Sequence, residues 1–387
     1  MGHFLNEALL SVVNQTFTDW EVIVVDDGSN DDTRDVVAVF EDSRIHYIYQ
    51  ENQGLSAARN TGIRAATSEK IALLDADDIW KVDYLEKMIN VLIDNSEAIA
   101  IYCGFIYIDP DGKQIGMPQL RVVPSHQFPM MILKQNWLVP SSVIFCKEVI
   151  NEVGFFDESL QAVEDWDMWI RMSTRGLFVC LPQHLVKYRL HNSNMSKDPY
   201  LMVSSHLTLI EKRVGPPEGN PSDWSDLKKM FYRCYYGQSA ERYLEYGNFD
   251  QGTKYFLDML ELAPENGVKM GIWRSLIRLH LPVEIRHATG VVVWDKAEDD
   301  VYSLIEKLGE NKQDDIAQSE IKKMKACAEI ALARESIEAD ETKQAFDYLW
   351  RSVNTDQSTI IKRAFWGTLA RGIFKKKYSD FLPYRQL

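Results

Sequence analysis

Residues 71–80 read Ile-Ala-Leu-Leu-Asp-Ala-Asp-Asp-Ile-Trp, an apolar run that stops in three acidic side chains, Asp75, Asp77 and Asp78. Apolar residues in unbroken succession ahead of a charge cluster fit a strand buried on both faces. Such a strand constrains the chain strongly, because both faces must be covered and its carboxyl end delivers the acids to the rim of a sheet, where open α/β folds bind ligands. Hard oxygen ligands packed this closely suit Mg²⁺ or Mn²⁺. Taken alone, the pattern has a plainer reading as an acidic strand-to-helix turn in which Asp78 or Asp83 caps the next helix.

The upstream residues repeat the design. Glu21 to Val25 is a second buried-strand candidate and ends in Asp26-Asp27-Gly28-Ser29-Asn30. Leu5, Ala8, Leu9, Val12 and Val13 have helical spacing, whereas Ile45, Tyr47 and Tyr49 alternate like a half-buried strand. Between Leu55 and Ala66 the small residues Ala57, Ala58, Gly62 and Ala65 allow a helix to lie close to a sheet, and they surround Arg59. Strand and helix signals alternate up to Asp75, which favours right-handed crossovers and a mostly parallel sheet.

Three ordered motifs, Val24-Val25-Asp26-Asp27-Gly28-Ser29, Asn52-Gln53-Gly54-Leu55-Ser56-Ala57-Ala58-Arg59-Asn60-Thr61-Gly62 and Leu74-Asp75-Ala76-Asp77-Asp78, resemble a family 2 glycosyltransferase. The resemblance continues to Glu164-Asp165-Trp166-Asp167-Met168-Trp169 and to Tyr188-Arg189-Leu190-His191-Asn192-Ser193-Asn194-Met195-Ser196. It implies an α/β, GT-A nucleotide-diphospho-sugar transferase fold over residues 1–200, a mostly parallel sheet flanked by helices. It also implies transfer of a sugar from a nucleotide-diphosphate donor, a UDP-sugar first among them, to a hydroxyl on a glycan or lipid-linked acceptor. The setting would be surface polysaccharide or glycan biosynthesis, with inversion and with Mg²⁺ or Mn²⁺ as cofactor.

The resemblance also assigns roles. Asp27 would accept a hydrogen bond from the nucleotide base while Gly28 turns the backbone away. The planar fork of Arg59 suits a phosphate or a carboxylate such as Asp27. Asp75 would engage the donor and Asp77 the metal, with Asp78 a competing ligand; the cation would neutralise charge on the departing diphosphate. Asp165 would be the general base, Glu164 its alternate, at the start of a helix whose inward stripe is Trp166, Trp169, Ile170 and Ser173. His191 would ligate the metal or steady the diphosphate, and Ser193 and Ser196 would close over the donor phosphates. Trp137 lies in a segment expected on the acceptor side, where it could stack on a sugar or simply pack in the core.

Family members start with an apolar strand leading into a Pro-x-Tyr-Asn-like turn, whereas this chain begins Met1-Gly2-His3-Phe4, already at the first helix. In a doubly wound sheet that strand is interior, so the expectation is a domain lacking its first strand and part of the nucleotide pocket. A missed upstream start, a degraded paralogue and a substitute segment all account for it. A non-catalytic, glycosyltransferase-like binding or scaffold protein is the alternative function. A nucleotidyltransferase is a further rival, but no glycine-rich triphosphate loop with a basic residue is found here.

Past residue 200 helix formers dominate. Gly215-Pro216-Pro217-Glu218-Gly219-Asn220-Pro221 reads as a linker. Ala240 to Asp250 with Tyr255 to Pro264, and more faintly Ala345 to Trp350, resemble tetratricopeptide hairpins. Residues 201–387 are therefore expected to form an all-α helical-hairpin domain. The net charge of −14 argues against nucleic acid as a partner. Ile360 to Leu387 runs the other way, with seven basic side chains against Asp380 and interleaved aromatic and aliphatic residues. That stretch suits either peripheral membrane contact or a packed helix with a basic side. With no membrane-span-length apolar run and no signal-peptide pattern at Met1 to Gln15, a cytoplasmic protein, peripheral at the inner membrane in the first case, is expected. Five widely spaced cysteines fit reduced thiols.

Overall fold

A computed structural model describes residues 2–262, 318–338 and 342–356, together with 299, 301–303, 305, 306 and 368. The chain divides into two compact units, Met1–Pro216 and Pro217–Leu387.

In the first unit α1 (Gly2–Val13) buries Leu5, Ala8, Leu9 and Val12, the side chains whose spacing marks one helical face. β1 (Val22–Asp27) runs parallel to β2 (Ile45–Gln50), placing Asp27 beside Gln50, and α2 (Thr33–Ala38) lies between them in sequence. Together β1 and β2 form a two-stranded sheet of their own. The apolar side chains of β1 are half-buried rather than fully enclosed. α3 (Leu55–Ala65) approaches β1 closely at Gly62, where an added Cβ would lie 3.5 Å from the Val25 side chain.

The second sheet contains β3 (Lys70–Ala72), β4 (Ile79–Trp80), β5 (Ala98–Ile108), β6 (Gln114–Gly116), β7 (Val143–Cys146) and β8 (Leu177–Arg189). Its order is β3-β7-β5-β8-β4, with β6 beside β5. Among the described residues β1–β2 and β5–β8 pair in parallel, whereas β3–β7, β4–β8, β5–β6 and β5–β7 are antiparallel. The expected α/β layering is present, but the pairing is mixed rather than mostly parallel. For β5 and β6 the reason lies beyond Asp75, where Asp109-Pro110-Asp111-Gly112 turns β5 straight back into β6, with Gly112 at φ +80° donating its N–H to Asp109 O. A tight turn of this kind joins only antiparallel neighbours.

Helices cover the sheet. α4 (Tyr84–Asp94) buries Tyr84, Leu85, Met88 and Leu92, which share a core with Ile101 of β5 and Val186 of β8. α5 (Phe128–Ile132), α6 (Glu148–Val153), α7 (Glu164–Ser173) and α8 (Pro199–Val214) contribute to a second core around Phe145, Trp169 and Phe178. Asp198 caps α8 by accepting from the backbone N–H groups of Tyr200 and Leu201.

The second unit is helical in its described residues. α9 (Asp226–Glu245) and α10 (Phe249–Leu262) form one antiparallel pair across a turn at Gly247, φ +74°. Helices Gln318–Glu338 and Thr342–Thr355 form another, and Ala240, Phe256, Leu260, Ala328 and Tyr348 belong to one core. Among the described residues no helix is long and apolar enough to cross a membrane. The basic stretch Ile360 to Leu387 lies outside the described residues apart from residue 368.

Candidate active site

The end of β1 is fastened to the start of α3 by one carboxylate. Asp27 Oδ1 accepts from Gln50 Nε2 at 2.7 Å and Gln53 N at 2.9 Å, and Oδ2 accepts from Gly54 N at 2.8 Å. Asp26 faces the other way and accepts from Tyr47 Oη and Ser29 N. The chain can diverge between them because Gly28 has φ +76°, and a Cβ there would sit 2.8 Å from Asn52 N, a backbone atom that cannot yield. Gly28→Ala is accordingly expected to cost about 2 kcal/mol, seen as a lower midpoint in thermal unfolding.

Arg59 projects from α3 into the gap between the two other motifs. Its Nη2 donates to Asp75 Oδ1 at 2.8 Å and its Nη1 to Glu164 Oε1, with the arginine side chain only 8% exposed. Burial alone would lower the guanidinium, but the Asp75 and Glu164 charges outweigh it and hold it protonated. The carboxylate partners of Arg59 are thus Asp75 and Glu164, not Asp27. Asp27 holds the loop before α3, whose turn starts the helix carrying Arg59.

Asp77 meets His191. Asp77 Oδ2 and His191 Nε2 are 2.8 Å apart, and His191 Nδ1 lies 2.8 Å from Ser193 Oγ, so the serine orients the ring. Burial pushes the Asp77 carboxyl up, the Asp75 charge adds to this, and the His191 hydrogen bond opposes both. Ser196 hydrogen-bonds Tyr188. Asp78 takes another path. It is 1% exposed, with Oδ2 accepting from Ser141 Oγ at 2.6 Å and Oδ1 from Arg189 N at 3.1 Å. Each of its oxygens accepts from a protein donor, so Asp78 braces the acidic turn against β8.

Arg189, quoted above only as part of a motif, is a second brace. Fully buried, it donates from Nε to Asp77 O at 2.9 Å, from Nη1 to Pro110 O at 2.6 Å and from Nη2 to Glu7 Oε2 at 2.6 Å. An arginine at the end of a strand, two residues before His191, is the sequence signal that marks it.

Asp165 opens α7 beside Glu164. Val163, immediately before, has φ 57° and ψ 18°, the left-handed region that β-branched residues rarely enter. Asp165 Oδ1 accepts from Trp166 N at 2.7 Å and Oδ2 from Asn136 Nδ2 at 2.9 Å. Asn136 is fixed in turn, because its Oδ1 accepts from Leu138 N at 3.0 Å. Burial, with the Glu164 charge adding, pushes Asp165 up to about 7 against the opposing pull of Arg59, Trp166 N and Asn136. Asn136 and Ser141 lie outside any motif and are missed by sequence reasoning. Trp166, Trp169, Ile170 and Ser173 all point inward. Trp137 is half-buried, packed edge-on against Phe128 and Tyr102, so its ring serves the core.

The model for Glycosyl transferase family 2 matches residues 2–149, the stretch that holds Asp27, Arg59, Asp75 and Asp77. The UDP-Glc:alpha-D-GlcNAc-diphosphoundecaprenol beta-1,3-glucosyltransferase WfgD of Escherichia coli is 30% identical over 206 residues, covering 51% of this chain and 76% of its own. The chain belongs to glycosyltransferase family 2. Within that family it is also similar to the putative teichuronic acid biosynthesis glycosyltransferase TuaG of Bacillus subtilis, 29% identical over 205 residues, 51% of this chain and 78% of that one. An uncharacterized glycosyltransferase of Nostoc sp. is 32% identical over 207 residues, 50% of this chain. The chain spans 62% of the Nostoc relative and 39% of another in Rickettsia conorii. The α/β unit is thus the GT-A-like domain of a family 2 glycosyltransferase, a central sheet flanked by helices, and a helical region follows it.

Proposed function

We propose that this chain transfers a sugar from a nucleotide-diphosphate donor, a UDP-sugar first, to a hydroxyl acceptor in the assembly of a cell-surface polysaccharide. The observation that carries this reading is Arg59, which ties Asp75 of one motif to Glu164 of another, 105 residues from Arg59 itself in sequence. That bridge brings an acid corner and the Asp165 carboxyl into one neighbourhood. UDP-glucose as donor, and a diphosphoundecaprenol-linked sugar as acceptor, are properties of WfgD that make the same classes the first to try here.

Asp165 acts as the base: one of its oxygens takes the acceptor hydroxyl proton as that oxygen forms a bond to the anomeric carbon, with inversion. The bond from that carbon to the diphosphate breaks, and its electron pair leaves on the phosphate oxygen. Asp27 fixes the nucleotide loop and keeps a lone pair of Oδ2 for a base N–H. Ser193 and Ser196 line the diphosphate side.

Asp77 and His191 would hold a divalent cation. Among the described residues no group of three or more His, Cys, Asp or Glu side chains is gathered for a metal. One carboxylate oxygen and one imidazole nitrogen are donors that would suit Mg²⁺ or Mn²⁺. Such an ion, when bound, supplies charge neutralisation to the leaving diphosphate.

The test is radiolabelled sugar transfer from UDP-sugars to an undecaprenyl-diphosphate-linked acceptor. Transfer is expected to stop on chelation and return with Mn²⁺ or Mg²⁺, and Asp77→Ala is expected to weaken activation by the metal about 10–100-fold. UDP binding without transfer or hydrolysis under every donor tried would favour the scaffold reading instead.

A further inference from the structure

One loop, residues 136–141, touches both halves of the site. At its start Asn136 Nδ2 donates to Asp165 Oδ2 at 2.9 Å. At its end Ser141 Oγ accepts from Asp75 N at 3.1 Å and donates to Asp78 Oδ2 at 2.6 Å, while Ser141 O accepts from Trp80 Nε1 at 2.8 Å. The loop therefore reaches from the carboxyl that opens α7 to the turn that carries Asp75, Asp77 and Asp78.

The span is stiff. Asn136 Oδ1 accepts from the N–H of buried Leu138, and Val139 O accepts from both Ser142 N and Ser142 Oγ. Pro140 fixes φ where the chain turns, Ser141 is fully buried, and β7 follows at Val143, hydrogen-bonded to β3 and β5. Arg59 joins the same two halves by charge, whereas Asn136 and Ser141 bring only neutral donors and acceptors, so what they supply is geometry. The charged groups around Asp165 are Glu164 of α7 and Arg59 of α3, with Asp75 on the far side of Arg59. Trp166 N holds one Asp165 oxygen from within α7, and Asn136 on the other oxygen fixes the plane of the carboxyl while leaving each oxygen a lone pair.

We propose, on the reading of Asp165 as the base, that residues 136–141 are a positioning strap: Asn136 aims the Asp165 carboxyl, Ser141 seats the acid turn, and the stiff residues between them set the spacing from base to donor corner. Neither residue touches the reacting atoms. Their effect comes from alignment, because the acceptor oxygen must lie about 3–3.5 Å from the anomeric carbon and a misplacement of about 1 Å costs on the order of 10²-fold in rate.

The test compares wild type, Asn136→Ala, Ser141→Ala and the double variant in transfer from the UDP-sugar that wild type uses best. Each single variant is expected to lower kcat about 10²-fold, and calorimetry is expected to find UDP affinity unchanged in Asn136→Ala. The double variant is expected to lose little more than either single one, because releasing one end already frees the strap, whereas independent braces would multiply their losses. Asn136 is one of the groups that holds the Asp165 carboxyl down, so in Asn136→Ala the fall of kcat/KM on acidification is expected to move to higher pH by about one pH unit. Ser141→Cys, close in size and still a weak donor, replaces Ser141→Ala if that protein does not fold. Multiplied losses, or an Asn136→Ala protein with the wild-type kcat and pH profile, would overturn the strap. Asp165→Asn is assayed alongside: if it keeps the wild-type rate, the base reading and the strap fall together, and if it loses the rate while Asn136→Ala does not, the strap alone falls. The Asp165 carboxyl carbon, identified by its absence from the Asp165→Asn spectrum, is also titrated by NMR in wild type and Asn136→Ala. A rise in the variant is expected there even without turnover, and its absence would overturn the role of Asn136.

Discussion

Asp165→Asn is expected to lower the rate of sugar transfer about 10³-fold, the range a positioned proton acceptor contributes, while leaving UDP affinity unchanged. The substitution keeps size but replaces the oxygen that accepts from Trp166 N with an NH₂ group. An asparagine can still turn its carbonyl oxygen to Asn136 Nδ2, which Leu138 N holds in place through the Asn136 oxygen. What is lost is the capacity to accept a proton. Because burial and the neighbouring Glu164 push Asp165 up to about 7, the wild-type rate carries a signature. Below that pH the fraction of ionised Asp165 falls tenfold per unit, so kcat/KM is expected to rise with unit slope and level off above about 7. The Asp165→Asn residual rate is expected to lack that slope. Steady-state kinetics from pH 5 to 9, with UDP titrated calorimetrically against both proteins, check the pair of statements. Loss of UDP binding in the variant would place Asp165 in the donor site instead of at the base position.

How far the site is legible in the sequence depends on where each partner lies. Asp27, Arg59, Asp75, Asp77 and Asp165 all occur in short strings whose residue types announce strand ends and helix starts. The helical face of α1 and the inward stripe of α7 are likewise periodic, because burial imposes a period on neighbours. The braces are different. Asp78 looks like one more acid in a cluster, and nothing local says that Ser141 and Arg189, 63 and 111 residues further on, occupy its oxygens. Asn136 has no pattern around it, since its task is to face Asp165 across the fold. The sheet direction was partly readable: alternation of strand and helix up to Asp75 points to parallel pairing, but Asp109-Pro110-Asp111-Gly112 is a turn signal that reverses the chain. The separation of β1 and β3 follows from long-range packing, which no window of sequence reports.

Arg59→Met is expected to be the most damaging single change to the α/β unit. The methionine fills much of the volume, so the loss is electrostatic more than steric. Glu164 is 5% exposed and receives a hydrogen bond from Arg59, and without that partner it remains a buried carboxylate with no cation. Breaking a buried pair from one side costs about 3–5 kcal/mol, which corresponds to a fall of about 10 °C in the melting temperature of a unit this size. The loss has a pH sign. Arg59 is one of the groups that holds Asp165 down, so its removal drives that carboxyl further above its unfolded value of about 4. A carboxyl raised by folding contributes stability that is present below about pH 4 and is lost as pH rises through the folded value. The deficit of Arg59→Met relative to wild type is therefore expected to be larger at pH 8 than at pH 5. Adding Glu164→Gln to Arg59→Met removes the stranded charge and is expected to restore a large part of the stability without restoring activity. Denaturant unfolding of the wild type, both single variants and the double variant at the two pH values measures this coupling. If the double variant were no more stable than Arg59→Met, the bridge would be holding the helices by shape, and the charge argument would fail.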